Sequence, residues 1–332
     1  ASCLVGSEMC IRDRSWGVWS VGLTIPIALL MGLYLRYLRP GKVLEVSVMG
    51  IILLVLAIAS GAWIENTSIA TALHLGRPFL AWAIIIYGFV ASILPVWMLL
   101  APRDYLSTFM KVGVITMLAI SIVIVRPVIS VPAMTVYAHT GTGPVFSGKL
   151  FPFLFVTIAC GALSGFHATI ASGTTPKLIE KESQARLIGY GGMLMESFVA
   201  IMALVAALSV DRGIYFAMNS PAGATGNTVQ SAVTYVNSLG LTGVRTDSNA
   251  LTTTANLVGE TSIISRTGGA PTLAVGLATI MHQLFGGQAM MSFWYHFAIM
   301  FEALFILTSV DAGTRVARFM LSDALGNFWP RL

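Results

Sequence analysis

The fold class this sequence predicts is an all-α, polytopic transmembrane helical bundle, and three observations predict it. The first is composition: of 332 residues, 56% are hydrophobic and only 10% charged, with a mean hydropathy of +0.82. A soluble domain carries about 25% charged residues, so too little polar surface is available to cover a water-soluble ball. That excludes a soluble enzyme, a nucleic-acid-binding module and a disordered chain. The second is length: the apolar residues come in runs of about 20, which at about 1.5 Å per helical residue cross the hydrocarbon core. The third is periodicity. No run alternates as the strands of a membrane barrel do, and lipid requires every backbone N–H and C=O to be satisfied internally, so the runs are helices.

Each element follows in order. Residues 1–14, ASCLVGSEMCIRDR, hold two of the three cysteines (Cys3 and Cys10) and four charges. The charges follow the short apolar part instead of preceding it, against the pattern of a signal peptide. We read the segment as a non-native artefact of adapter sequence, treat the chain as a fragment, and leave 1–14 out of the fold. Transmembrane helices 1–6 are expected within 15–209, at 17–38, 43–64, 79–101, 112–130, 151–172 and 187–209. Residues 210–269, rich in Asn, Thr, Ser and Gly, read as an extracytoplasmic polar loop with one short amphipathic helix near 228–238. Residues 270–332 read as a re-entrant or short helix at 270–285, a transmembrane helix at 291–310 and a cytoplasmic tail. Gly268, Gly269 and Pro271 are the reason for the half-helix, because Gly and Pro release backbone groups. The total is about seven to eight membrane segments.

Lys and Arg in short loops set the orientation. Arg36, Arg39, Lys42, Arg103, Lys111, Lys177, Lys181 and Arg186, with Arg315, Arg318 and Arg331 in the tail, fall on one side, which is therefore cytoplasmic. The net charge of +5 does not imply nucleic acid, because the cations punctuate apolar runs and form no basic face.

Ionisable groups inside apolar spans are expensive and are functional candidates by default. Glu196 lies within 187–209, Glu302 and His296 within 291–310, and His167 in Ser164-Gly165-Phe166-His167. Tyr295 and Glu302 are about two turns apart and share a helix face, with His296 one position round. Such carboxylates can carry a proton between the two sides; the plainer reading is that each group hydrogen-bonds a neighbouring helix. Gly165, Gly173 with Thr174, and Gly268 mark helix breaks of the kind that line transporter substrate sites, or ordinary loop caps. Arg103 reads as an interfacial anchor, or as an ion pair with Asp104 or a gate. Phosphate-loop, HExxH, Ser/His/Asp and paired-cysteine patterns are absent from the sequence, so neither an enzyme nor a cofactor or metal site is expected.

Several motifs are more specific. Ala101-Pro102-Arg103-Asp104-Tyr105-Leu106-Ser107, the stretch from Phe151 to His167, Ser172 to Lys177, Ser265-Arg266-Thr267-Gly268-Gly269-Ala270-Pro271-Thr272, Phe293-Trp294-Tyr295-His296-Phe297, Phe301-Glu302-Ala303-Leu304-Phe305 and Asp311-Ala312-Gly313-Thr314-Arg315 resemble the carbon starvation protein A family, in family order. The resemblance implies a multi-pass secondary transporter of the bacterial inner membrane, induced in carbon starvation. It further implies uptake of pyruvate or short peptides, by proton symport, and an inverted-repeat transporter fold. This chain resembles the middle section of longer family members. A membrane starvation sensor or scaffold that translocates nothing is the alternative; its mark would be a folded soluble output domain.

Overall fold

The computed structural model describes residues 15–64, 67–73, 75, 77–95, 97–129, 131–145, 148–149, 151–152, 165–173, 175–226 and 228–328. Among these residues the regular structure is helical throughout. The helices of more than one turn are α1 (Ser15–Leu33), α2 (Val43–Ile64), α3 (Arg77–Ile93), α4 (Leu100–Val125), α5 (Gly165–Gly173), α6 (Ser183–Leu208), α7 (Arg212–Asn219), α8 (Val229–Ser238), α9 (Ser248–Leu257), α10 (Gly269–Phe285) and α11 (Gln288–Phe328). Among the described residues, five stretches are long and apolar enough to cross a membrane: Ser15–Leu38, Val43–Gly61, Ala101–Val125, Ser183–Leu208 and Met290–Gly326. The chain is a multi-pass membrane protein. Most of the span expected at 151–172 lies outside the described residues.

Two boundaries differ from the sequence reading. The apolar run 79–101 is not one helix: α3 ends at Ile93, residues 94–95 and 97–99 are not helical, and α4 starts at Leu100. Pro95 has no N–H and disfavours helix at the residue before it, which ends α3 there. Pro102 falls in the first turn of α4, where a missing N–H costs nothing. Arg103, Asp104 and Lys111, expected in a cytoplasmic loop, are therefore inside a membrane-length helix. The expected cytoplasmic tail is likewise helical, because α11 runs unbroken to Phe328, about 60 Å of helix. After 310 no Pro stops the helix, and Ala, Arg, Met and Leu, eight of its last 18 residues, favour continuing it.

The chain divides into two compact units. One comprises Ser7–Val114, Ser164–Met195 and Met300–Leu332. Here α1 and α2 lie together, joined by polar groups at their ends: Trp16 Nε1 donates to the Ile58 carbonyl at 2.8 Å and Trp19 Nε1 to Ser60 Oγ at 3.0 Å. A Cβ at Gly32 would sit 2.9 Å from the carbonyl oxygens of Trp97 and Met98, so only glycine lets Trp97 and Met98 close on α1. Outward-facing Trp82, Ile85 and Phe89 are exposed while Thr24, Arg103 and Asp311 are buried. Apolar outside and polar inside is the arrangement lipid favours.

The other unit comprises Ile115–Leu163 and Glu196–Ile299. Its core is α10, buried along most of its length. Gly276 of α10 lies against the Ala206 carbonyl of α6, and a Cβ there would collide with that backbone; the small residue sets the close crossing. Residues 212–257 carry α7, α8 and α9 plus a single turn at Ala222–Thr225, more ordered structure than the single helix expected. Side-chain caps explain it: Asp211 accepts from Gly213 and Ile214 N–H, Asp247 from Ala250 N–H, and Thr228 and Ser231 form a capping box, each stabilising its helix by about 1 kcal/mol. At 17 residues, α10 is about 26 Å long, short of a full crossing.

Candidate functional site

The most developed polar cluster lies in the unit that holds α1 to α3. The guanidinium of Arg103, on the first turn of α4, is 1% exposed, and Asp311 of α11 is 0% exposed. Arg103 Nη1 donates to Tyr87 Oη of α3. The Tyr87 hydroxyl in turn donates to Asp311 Oδ1 at 2.5 Å. Arg103 Nη1 stands 3.4 Å from Asp311 Oδ2, and Nη2 stands 3.4 Å from Thr24 Oγ1 of α1. Four helices thus meet at one guanidinium. The carboxylate that pairs with Arg103 is Asp311, in place of the interfacial anchor, or the ion pair with Asp104 or gate, that the sequence left open. Neighbouring helix positions point about 100° apart, so a residue and its successor do not face each other.

Further groups extend the cluster along α4 and α11. Lys111 Nζ donates to Thr308 Oγ1 at 3.2 Å. Arg315 Nη2 donates to the Leu94 carbonyl at 2.6 Å, and Arg318 Nη1 to the Ser92 carbonyl at 2.6 Å. These two arginines, expected in a cytoplasmic tail, bind the carbonyls that α3 leaves unsatisfied at its C-terminal end. Among the described residues, Arg103 Nε and Asp104 Oδ1 are buried without a hydrogen-bond partner. A buried polar atom left so costs about 1–3 kcal/mol.

A second cluster lies in the other unit. Glu260 pairs with Arg266 at 2.8 Å, and Arg266 Nη1 donates to the hydroxyl of Tyr295, 3.4 Å away. His296 is buried beside it, its Nδ1 2.8 Å from the Ser292 carbonyl. At the start of α10, Gly268 has φ 135°, a conformation for glycine alone. Its N–H donates to Asn219 Oδ1 at 3.3 Å, and Asn219 Nδ2 donates to Thr272 Oγ1 at 2.9 Å. Asn219, at the end of α7, thereby occupies the backbone donor that the helix break frees. Nearby, Thr135, Tyr137, Pro144, Leu208, Tyr215 and Phe216 line a mostly apolar cavity of 370 Å³. Burial pushes the Tyr215 phenol above its ordinary range, which keeps it a neutral donor.

The remaining residues singled out in the sequence are dispersed. Glu196 is exposed on α6. Glu302 is half-buried on α11, about two and a half turns before Asp311 and so on the opposite face of that helix. His167 is exposed on α5 and borders a 750 Å³ groove with Thr175, Glu180 and Glu182. Gly165 has open space where a Cβ would go, and Gly173 faces Val316. Thr174 lies outside the described residues. Sequence reasoning missed Asp311, Tyr87 and Thr24 as site residues. The available signal was charge: Asp311 follows an apolar run with no helix breaker between, so it stays at membrane depth with an arginine to meet. Among the described residues no group of three or more His, Cys, Asp or Glu is placed to hold a metal ion.

A family model described as carbon starvation protein CstA matches residues 3–332. The chain belongs to the carbon starvation protein CstA family. Among CstA-family relatives, a protein of Mycobacterium tuberculosis named peptide transporter CstA is 60% identical over 96% of this chain and 42% of its own length. The Escherichia coli protein of the same name is 58% identical over 97% of this chain and 46% of its own. A second Escherichia coli protein, named pyruvate/proton symporter BtsT, is 51% identical over 97% of this chain and 48% of its own. The chain therefore spans about half the length of the curated relatives it matches. No solved structure matches it.

Proposed function

We propose that this chain is part of a secondary active transporter of the bacterial inner membrane that takes up pyruvate or short peptides together with protons in carbon starvation. The observation that carries the reading is the Arg103–Tyr87–Asp311 chain of hydrogen bonds, buried between helices whose outer faces are apolar. A structural protein gains nothing from placing such charges in lipid, where a central Arg or Asp costs about 2.5–3.5 kcal/mol on insertion scales. A transporter needs them. The printed names of the relatives, one a pyruvate/proton symporter and others peptide transporters, support the substrate classes. No enzymatic step and no cofactor enters this reading.

Glu196, Glu302, His167, His296 and Tyr295 are proposed as members of the proton and substrate pathway, with the helix breaks at Gly165, Gly173, Thr174 and Gly268 lining it. The architecture proposed for the whole protein is an inverted-repeat bundle of more spans than this chain carries. The test is uptake of labelled pyruvate and a labelled dipeptide by the full-length protein in proteoliposomes with the outside acidic. Accumulation that collapses with the pH gradient is expected, and Glu196→Gln or Glu302→Gln should lower it at least about tenfold, as befits carboxylates on the proton's path. Ligand binding without accumulation would instead favour a starvation sensor.

A further inference from the structure

We propose that Arg103 is the residue that binds the substrate's carboxylate, and that Asp311 occupies it in the substrate-free state and releases it on taking up a proton. This rests on the reading that the protein moves a carboxylate with a proton, and it names the site at which the two meet.

The geometry shows an arginine held but not saturated. An arginine that truly pairs with a carboxylate makes two parallel bonds of about 2.7–2.9 Å. Arg103 makes one contact to Asp311, at 3.4 Å, and the shorter bond to that carboxylate comes from Tyr87. The Nη2 contact to Thr24 is also 3.4 Å, and among the described residues Nε has no partner although the side chain is 1% exposed. The Nε–Nη2 edge is thus a buried pair of donors in the spacing that a carboxylate fills. Pyruvate and any peptide share one anionic group, a carboxylate, so one arginine serves both substrate classes. Pyruvate has no ammonium group, so the site needs no anion of its own once substrate is bound.

Charge balance then dictates coupling. The charged and titratable groups facing Asp311 are Arg103 and Asp104 from α4, Tyr87 from α3 and Arg315 from its own helix. From α1, Thr24 offers a neutral hydroxyl. Asp104, the Lys111 ammonium beside it and Arg315 are common to every state. The remaining charges leave the site neutral in two ways: Arg103 with ionised Asp311 and no substrate, or Arg103 with the substrate carboxylate and protonated Asp311. Substrate with ionised Asp311 places two anions on one buried cation, and protonated Asp311 without substrate strands the cation; both are penalised at low dielectric. Only the neutral states are well populated, so one proton moves with each carboxylate. Tyr87 serves either form, because its hydroxyl can donate to the carboxylate or turn and accept from the carboxylic acid.

The experiment measures pyruvate counterflow, half-saturation against pH, in proteoliposomes of the full-length protein. For the natural protein the half-saturation concentration should rise about tenfold per pH unit above the titration of Asp311, as required by one linked proton. Asp311→Asn, which fixes the protonated form, should keep counterflow, lose its pH dependence and lose gradient-driven accumulation. Arg103→Lys should weaken half-saturation more than about tenfold for pyruvate and for a dipeptide alike, through loss of the two-pronged geometry. A natural protein with pH-independent half-saturation overturns the inference without any variant. So does an Asp311→Asn protein that still accumulates pyruvate, or an Arg103→Lys protein with unchanged half-saturation. Should Arg103→Lys fail to fold, the Arg103→Gln/Asp311→Asn double variant, which removes both charges, must fail to take up pyruvate; uptake by it overturns the inference. No counterflow of pyruvate or peptide by the natural protein overturns the transport reading itself, and the inference with it.

Discussion

Arg103 illustrates how one side chain ties sequence to architecture. Its guanidinium reaches α1 through Thr24, α3 through Tyr87 and α11 through Asp311. Removing only one charge of a buried pair strands the other, at about 3–5 kcal/mol, whereas removing both is often close to neutral. Arg103→Gln should therefore lower the melting temperature in detergent markedly, and Arg103→Gln with Asp311→Asn should recover most of the loss. A double variant no more stable than the single one would contradict the pairing. Asn219 makes the same point in the other unit. Asn219→Ala should free the Gly268 N–H and speed its hydrogen exchange, at a stability cost of about 1 kcal/mol; unchanged exchange there would show that the clamp is dispensable.

At the scale of elements, the positions of long apolar helices were legible because length and composition suffice to define them. Ser15–Leu38, Val43–Gly61 and Ser183–Leu208 fall close to the runs at 17–38, 43–64 and 187–209. The break after Ile93 lies in an apolar run that hydropathy alone reads as one span, although Pro95 in that run carries the signal for it. That error put Arg103 in a loop. The continuation of α11 was missed for the opposite reason, since Arg315 and Arg318 read as part of a cytoplasmic tail and instead bind α3 carbonyls. Packing inside α10 gives a prediction of its own. Gly276→Val should force α10 away from the Ala206 carbonyl, costing about 1–3 kcal/mol, measured as an earlier melting transition, while Gly113→Ala, at an open position inside α4, should raise stability by up to about 1 kcal/mol.

For the whole molecule, the membrane class was legible from the scarcity of charge, and the family from ordered motifs. The pairing that centres the candidate site was not, because Arg103 and Asp311 stand 208 positions apart and no local pattern links them. Only the fold brings them within reach, by placing the first turn of α4 against the middle of α11. The central claim is that a proton on Asp311 travels with a carboxylate on Arg103. The most direct measurement is the pH inside proteoliposomes of the full-length protein, followed with a trapped dye as pyruvate is added outside at equal internal and external pH. The account predicts acidification of the interior at one proton per pyruvate in the natural protein and none with Asp311→Asn. Pyruvate accumulation without acidification, or acidification that survives Asp311→Asn, would contradict it.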